Sequence, residues 1–359
     1  MRVLRIHFTA DDFSRLRFAA RPAPVPELHA ALMMLGPPPM GPLEEPLKDS
    51  LKGPLRDPLR GPFRGPPGGP PPDPLYDRWR AKHLRALPAA AAPLADLVPD
   101  GRPPAFLDVV GASLDEGCEL IRSARPEFVR KEIERAYGHG PVPSWIRALH
   151  DGRPEAWRTW ERAQRAAYES VLAPVWPLVQ DLHRAEFTRH ALMLAEQGAG
   201  AALTALAPGS RLRDGVWEWD GNGPAEGVRD VRLAGRGLVL LPTFHWRHGP
   251  LVQDLPDRPE RPVSLAYPAG PGLPLLPEAG LPDEPLAGVL GRTRLALLRA
   301  LDEPHSTTGL ARRLRVSNAT ASAHASALRA AGLLTTTRTG LSVRHERTSL
   351  GELLLGGTP

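Results

Sequence analysis

The sequence has little cysteine and no long apolar run. Cys118 is the single cysteine in 359 residues, so an intrachain disulfide framework is excluded and a reducing cytoplasm fits. We expect Cys118 to pack as a small hydrophobic residue rather than to act as a redox sensor. No apolar run approaches the roughly 18 residues of a membrane-spanning helix, and residues 1–13 lack the apolar segment of a signal peptide.

Lysine is also scarce, so the positive charge comes almost entirely from arginine. Four of the 45 basic residues are lysines, and the chain carries a formal charge of +5. Residues 287–347 contain ten arginines and three acidic residues, which gives +7 and leaves −2 for the rest of the chain. Concentrated positive charge on a short segment is typical of a surface that binds phosphates.

The basic C-terminal segment begins with a pattern of two helices. Leucines at helical spacing predict a first helix over residues 286–301, which Pro304 ends. Ser306 or Thr307 can then cap a short second helix that continues to residue 314.

A third helix has one apolar side and one small, polar side. Ser317 can cap it, residues 318–331 form its body, and Gly332 ends it. Helical spacing directs Ala321, Ala325 and Leu328 inward. The outward side, our set of candidate base contacts, consists of Asn318, Thr320, Ser322, Ala323 and His324. Short side chains let a helix approach base edges in a major groove, although a solvated surface helix has the same pattern.

A hairpin is predicted after the third helix. Its strands cover residues 333–338 and 341–347, and the turn between them contains a glycine that accepts positive φ. Basic residues lie on the hairpin and at the end of the second helix, where backbone phosphates would lie. The candidate phosphate and hairpin contacts are Thr307, Arg312, Arg313, Arg315, Arg338, Thr339, Gly340 and Arg344.

This segment resembles the winged helix-turn-helix of ArsR-type bacterial transcriptional regulators. The resemblance is carried, in this order, by RTRLALLRAL, STTGLARRL, VSNATASAHASALRAAGLL and RTSLGELLL. It implies that residues 317–324 lie on a recognition helix and that the hairpin over 337–344 is a wing touching an adjacent groove or phosphates. It also implies a homodimer whose partner is double-stranded DNA.

The segment departs from the family pattern in two ways. Ala321 and Ala325 stand where the family tends to have larger valine and leucine, so we expect looser packing beneath the recognition helix. Metal-sensing members carry cysteine in the second helix, and residues 307–313 contain none. We therefore expect no metal at that position, and we predict no cofactor.

The whole chain predicts an α+β fold, with a mainly helical N-terminal domain, a small antiparallel β-sheet and the C-terminal winged helix-turn-helix. Strand patterns occur at residues 3–8 and in 216–267, and helical patterns at 77–87, 104–124, 127–137, 155–172 and 175–206. The predicted regions are an N-terminal strand and helices at 1–36, a proline-rich insertion at 37–76, a helical domain at 77–206, a sheet region at 207–267, a linker at 268–285 and the winged helix-turn-helix at 286–356.

The insertion is a tetrapeptide repeat with proline at nearly every fourth position. Proline removes an amide donor and restricts the residue before it, so neither a helix nor a sheet can propagate. We interpret the insertion as extended and disordered. An expanded loop without a function is favoured over a polyproline ligand for a partner.

Two groups of histidines raise the question of a metal site. His183, Glu186 and His190 fall at i, i+3 and i+7, on one face of a predicted helix. A single helix cannot easily surround one ion, so we favour a polar face or an inter-helix contact. We interpret His245 and His248 as exposed residues of a turn rather than as ligands.

These observations predict a DNA-binding transcriptional regulator whose N-terminal region dimerises, senses a small-molecule effector, or both. Two alternatives remain: a winged helix used only for protein contact, and an enzyme in the N-terminal region. The sequence contains no nucleophile elbow, glycine-rich phosphate loop or HExxH motif, so we expect no enzymatic activity. Tryptophans in the helical domain form its core or line an effector pocket; they are Trp145, Trp157, Trp160 and Trp176.

Overall fold

A computed structural model describes residues 2–36, 74–99, 103–138, 140–207, 209–221, 227–254, 260–269, 283–339 and 342–355. Most of the proline-rich insertion, most of the predicted linker, and Gly340 lie outside the described residues. The chain divides into two compact units. The N-terminal unit comprises Met1–Ala173 and Leu182–Leu273, and the C-terminal unit comprises Pro174–Asp181 and Pro274–Pro359.

Helices make up most of the first 206 residues. They are α1 (Ala10–Ser14), α2 (Pro24–Leu35), α3 (Pro74–Ala86), α4 (Pro93–Asp96), α5 (Leu114–Arg122), α6 (Pro126–Tyr137), α7 (Ser144–His150), α8 (Pro154–Ala167) and α9 (Trp176–Leu206). Thr9 starts α1 through a reciprocal cap with Asp12. Proline occupies the first turn of α2, α6 and α8, where a missing N–H costs nothing.

Several helix boundaries differ from the prediction. The helix predicted over 104–124 is a short 3₁₀ turn at Ala105–Leu107 followed by α5, because Ser113 is the residue whose side chain caps the helix. Past Ala167 the chain continues as a π-helical turn, Tyr168–Leu172. In α9 the backbone is non-helical at Gly198, with φ 85°. The prediction that Cys118 packs in the interior is confirmed, since it is buried in α5.

Two four-stranded sheets accompany these helices. The strands are β1 (Arg2–His7), β2 (Arg17–Phe18), β3 (Arg211–Arg213), β4 (Val216–Gly221), β5 (Gly227–Arg232), β6 (Leu238–Thr243), β7 (Leu251–Gln253) and β8 (Val263–Pro268). The first sheet has the order β3-β4-β1-β5, and the second has the order β2-β6-β8-β7.

The prediction of one small antiparallel sheet is confirmed only in part, because the described residues form two sheets outside the C-terminal unit and each combines antiparallel with parallel pairs. In the first sheet β1 is antiparallel to β4 and parallel to β5. In the second sheet β6 is parallel to both β2 and β8, and β7 is antiparallel to β8. Parallel pairing needs a long crossover, and for the pairs β1–β5 and β2–β6 this crossover contains the helices between β2 and β3. Side-chain alternation within a strand does not encode the direction of its partner, so the sequence pattern missed this arrangement.

The C-terminal unit follows the predicted order of elements with three differences, one of which is an additional helix after the hairpin. It contains α10 (Asp283–Leu290), α11 (Arg292–Ala300), β9 (His305–Ser306), α12 (Thr307–Leu314), α13 (Asn318–Ala330), β10 (Leu334–Thr339), β11 (Ser342–Arg347) and α14 (Ser349–Leu354). The predicted first helix is divided at Gly291, whose φ of 86° is outside the helical region. The short strand β9, which was not predicted, pairs with β11.

The core of this unit lies between α11, α12, α13 and the hairpin. Its buried members are Leu297, Leu298, Ala300, Leu301, Leu310, Ala325, Leu328, Leu333 and Leu334. No helix in the described part of the chain is long and apolar enough to cross a membrane.

Candidate nucleic-acid interface

The link between α12 and α13 is a short turn with local hydrogen bonds. Ser306 caps α12 by accepting from the Gly309 N–H at 3.1 Å. Arg315 ends α12 in the left-handed conformation, with φ 55° and ψ 43°. The Val316 N–H donates back to the Ala311 carbonyl. Ser317 then caps α13 by accepting from the Thr320 N–H at 3.0 Å, so the two helices are joined by a defined turn.

The two sides of α13 are arranged as predicted. Ala321, Ala325 and Leu328 are buried, which confirms the inward face. On the other side Asn318, Ser322 and Ala323 are exposed, and Thr320 and His324 are half-buried. The Thr320 hydroxyl lies 2.8 Å from the Ser317 hydroxyl, so this candidate base contact also supports the cap.

The arginines near this helix pair have different surroundings. Arg312, at the last turn of α12, and Arg315, in the turn, are exposed and have no ion-pair partner among the described residues. Arg313 donates to Asp302 Oδ2 at 3.2 Å and lies 3.0 Å from His305 Nε2. Part of its charge is therefore neutralised, whereas Arg312 and Arg315 present theirs to solvent.

The hairpin is held to α12 by a histidine that the sequence analysis missed. His345 of β11 is buried, with Nε2 2.9 Å from the Thr307 hydroxyl and Nδ1 3.0 Å from the Thr336 hydroxyl. Burial, assisted by the positive charge of Arg329, lowers the pKa of His345. Thr307, a predicted phosphate contact, thus uses its hydroxyl inside the domain.

The two candidate arginines of the hairpin lie on opposite faces of it. Arg338 is opposite Val343, two residues beyond Thr336 on the same strand, so it shares the face that carries His345. Arg344 is adjacent to His345 along β11 and therefore lies on the other face; it is exposed and has no ion-pair partner among the described residues. Thr339 ends β10, and Gly340 is outside the described residues.

One arginine of the basic segment has a structural role. Arg347 lies 2.9 Å from Glu352 Oε1 and donates to the Leu301 carbonyl at 2.8 Å, which ties β11 to α11 and α14. The surface charge at the helix pair is therefore smaller than the formal +7 of the segment.

Comparison with known proteins agrees with this geometry. Residues 290–337 match a family model described as a helix-turn-helix domain, and the match covers α11, α12, α13 and part of β10. The chain carries a helix-turn-helix domain. The presence of this domain indicates a role in DNA binding and in the regulation of transcription. No curated protein and no solved structure matches the chain.

Outside the helix-turn-helix domain, His183, His190 and His245 are buried, whereas His248, the fourth histidine that the sequence singled out there, is half-buried. His183, Glu186 and His190 share one buried face of α9, and Glu186 Oε1 lies 2.9 Å from His190 Nε2. The hydroxyl of Tyr267 in β8 donates to Glu186 at 3.4 Å, so this face makes an inter-element contact. The described residues contain no group of three or more histidine, cysteine or acidic side chains placed to hold a metal ion.

The interpretation of His245 as an exposed turn residue was wrong. Its side chain is only 2% exposed, and its Nδ1 lies 2.6 Å from Oε1 of Glu27 on α2. His245 follows β6, a strand buried along its whole length, and the turn after that strand is covered by α2. No signal near residue 245 indicates the carboxylate, because the two residues are 218 positions apart.

Proposed function

We propose that the protein is a DNA-binding transcriptional regulator of the ArsR winged-helix type and that it acts without catalysis. The observation that carries the proposal is the pair α12–α13: a capped helix, a three-residue turn and a second capped helix with a small, polar outer face. Arg312, in the last turn of α12, and Arg315, in the turn before α13, add exposed positive charge. Helices of this kind enter a major groove while neighbouring cations contact phosphates.

In this arrangement α13 is the recognition helix. Asn318, Ser322 and Ala323 are exposed along its outer side, and His324 is the largest side chain there. An imidazole can donate to or accept from a base edge, and an asparagine amide can pair with adenine. The positions Thr320 and Ala323 admit close approach of the backbone because their side chains are short.

The hairpin is the wing, and we expect its two arginines to contribute unequally. Arg338 and Arg344 lie on opposite faces, so one duplex passing along the hairpin meets one of them more closely than the other. Phosphate contacts by this hairpin would add affinity with little sequence information.

We also propose that the protein binds DNA as a homodimer and that the N-terminal unit serves dimerisation, effector sensing, or both. A dimer would place two copies of α13 on two half-sites, about one helical turn apart. The expected operator is therefore an inverted repeat.

The test is protection of DNA from the region upstream of the protein's own gene, with the full chain and two variants. His324→Ala should change the ranking of related binding sites, because a base contact is lost. His150→Ala, at a half-buried histidine of α7 in the N-terminal unit, is the matched control and should leave the ranking unchanged. A full chain that protects no site, or that binds all sequences equally with or without His324, would contradict the proposal. A symmetric protected site would support the dimer.

A further inference from the structure

The N-terminal unit contains a polar cluster at the edge of its second sheet. In this sheet β2, β6 and β8 are parallel, so their carboxyl ends meet at one edge. His245 lies two residues past the end of β6, and α2, which carries Glu27, begins six residues after the end of β2. Ligands of open α/β sheets bind outside the carboxyl ends of parallel strands. The position of the cluster is thus one that commonly holds a ligand.

Glu27 is fixed by three donors in this cluster. The Phe244 N–H donates to Glu27 Oε1 at 3.0 Å, the His245 N–H donates at 2.9 Å, and the ring Nδ1 of His245 lies 2.6 Å away. A carboxylate that receives these contacts is an acceptor only, so the proton of His245 resides on Nδ1. In the neutral ring Nε2 therefore offers a lone pair.

No donor among the described residues forms a hydrogen bond with this nitrogen, His245 Nε2, which is buried. Buried polar atoms are normally paired, and one that is not needs a physical reason. In metal-binding histidines a carboxylate commonly orients the ring in this way and leaves the second nitrogen to bind the ion, so the same geometry suits a histidine that contacts a ligand.

Two side chains of α3 complete the cluster. The ring of Trp79 lies 5.9 Å from that of His245 and 4.9 Å from that of His83. His83 Nδ1 is also buried without a partner among the described residues. Burial, with smaller electrostatic contributions from His245 and Lys82, lowers the pKa of His83 to about 4. His83 is therefore neutral at physiological pH.

His183 is a third histidine with a ring nitrogen that has no hydrogen-bond partner among the described residues. It is buried on α9, and the nitrogen is Nε2. Burial lowers the pKa of His183, and the negative charges of Glu27 and Glu186 partly offset that shift. Glu27 therefore acts electrostatically on the His183 ring as well as on His245. The charge of Glu186 is paired with Arg189 at 2.8 Å.

We propose that Glu27, Trp79, His83 and His245 form a binding site for a small organic molecule with a protonated amine head group. The cluster presents two imidazole nitrogens without a hydrogen-bond partner among the described residues, a buried carboxylate whose donors are His245 and two backbone amides, and the ring of Trp79. Each of these attracts an N–H donor that carries positive charge. The proposal is independent of DNA binding, because it concerns the N-terminal unit alone.

The test is calorimetric titration of the full chain with benzylamine and butylamine, and with benzyl alcohol and butanol as matched neutral probes. The buffer is phosphate, since Tris is itself a primary amine. We expect an amine to bind at least tenfold more tightly than the alcohol of the same shape. His245→Gln and His83→Gln should each weaken amine binding at least tenfold, and His150→Gln should not change it.

The His83 variant guards against a folding defect, because the His83 side chain makes no hydrogen bond to a described residue and its loss should leave the circular dichroism spectrum unchanged. Three results would overturn the proposal: no heat of binding with either amine, equal affinity for amines and alcohols, or amine binding that survives both substitutions. Stabilisation by zinc chloride that EDTA reverses, with no response to amines, would instead assign the imidazoles to a metal and would also overturn it.

Discussion

The helix-turn-helix domain is defined by polar contacts between residues a few positions apart at its helix ends, whereas the N-terminal unit contains buried polar contacts between residues more than 200 positions apart. In the helix-turn-helix domain Ser317 caps α13 through Thr320, three residues away. In the N-terminal unit Glu27 bonds His245 across 218 positions, and Asp12 accepts from the Gly237 N–H across 225 positions. Short-range contacts leave a readable pattern in a sequence, whereas long-range contacts do not. The two regions therefore differ in how far a sequence predicts them and in which substitutions should harm them.

The largest expected effect is the loss of a long-range contact in the N-terminal unit. Glu27→Ala removes the acceptor of two backbone amides and one imidazole, all of which stay buried. We expect the free energy of unfolding to fall by roughly 3–5 kcal/mol, as for other broken buried pairs. Scanning calorimetry of the full chain measures this. Glu155→Ala, at an exposed residue of α8, is the control and should cost under about 0.5 kcal/mol. If Glu27→Ala and Glu155→Ala lower the free energy of unfolding by similar amounts, the buried contact of Glu27 does not stabilise the fold as proposed.

A steric test applies to the C-terminal unit. A Cβ at Gly351 would lie 2.3 Å from the Leu333 carbonyl oxygen, so Gly351→Ala must displace α14 from the hairpin. We expect a loss of roughly 1–3 kcal/mol in chemical denaturation, the usual cost of overpacking. Gly288→Ala, in α10, meets nothing within 4 Å and should be neutral or stabilising by up to about 1 kcal/mol. If Gly351→Ala and Gly288→Ala change the free energy of unfolding equally, the close contact between α14 and Leu333 is contradicted.

The third prediction concerns pH and the N-terminal unit. Burial, reinforced by the negative charge of Glu132, raises the pKa of Asp108 to about 7. The folded state therefore holds the proton more tightly than the unfolded state, and stability falls as pH rises from the ordinary value of 3.8 towards 7. Asp108→Asn should be more stable than the parent at pH 8 by roughly 1–3 kcal/mol, and nearly equal to it at pH 4. Denaturation curves at both values check this; a difference that does not depend on pH would contradict the assignment.

The smallest expected effect is the loss of a local cap. Ser317→Ala removes the acceptor for the Thr320 N–H at the start of α13. We expect a loss of about 1 kcal/mol, measured by urea denaturation. Ser322→Ala, an exposed residue in the middle of the same helix, is the matched control and should cost less than a few tenths of a kcal/mol. If the cap variant proves as harmful as Glu27→Ala, the distinction between the two regions fails.

This distinction explains which elements could be predicted. Ser306, Ser317 and Gly332 mark helix ends through residues next to them, so the order of elements in the C-terminal unit was predictable. The division at Gly291 was missed because leucines continue on both sides of it. The strands β1 and β6 were readable as strands, but their parallel partners were not, since pairing depends on distant segments.

In the candidate sites, too, the features that depend on residues distant in the sequence were not predicted. The inward and outward faces of α13 follow from helical spacing and were predicted. The opposite orientations of Arg338 and Arg344 depend on hairpin register, which the turn alone does not show. His345 and His245 were missed because their partners, Thr307 and Glu27, come from distant positions in the chain.

DNA binding by the full chain across a salt series, beside the variants Arg312→Ala and Arg130→Ala, tests directly whether the helix-turn-helix domain binds phosphates. Arg312 is exposed at the end of α12, and Arg130 is an exposed arginine of α6 in the N-terminal unit. Binding should weaken steeply with salt, and Arg312→Ala should reduce the log–log slope by about one unit. Arg130→Ala should leave the slope unchanged. Binding that ignores salt, or a slope that Arg312→Ala does not alter, would contradict a phosphate-binding surface at the helix-turn-helix domain.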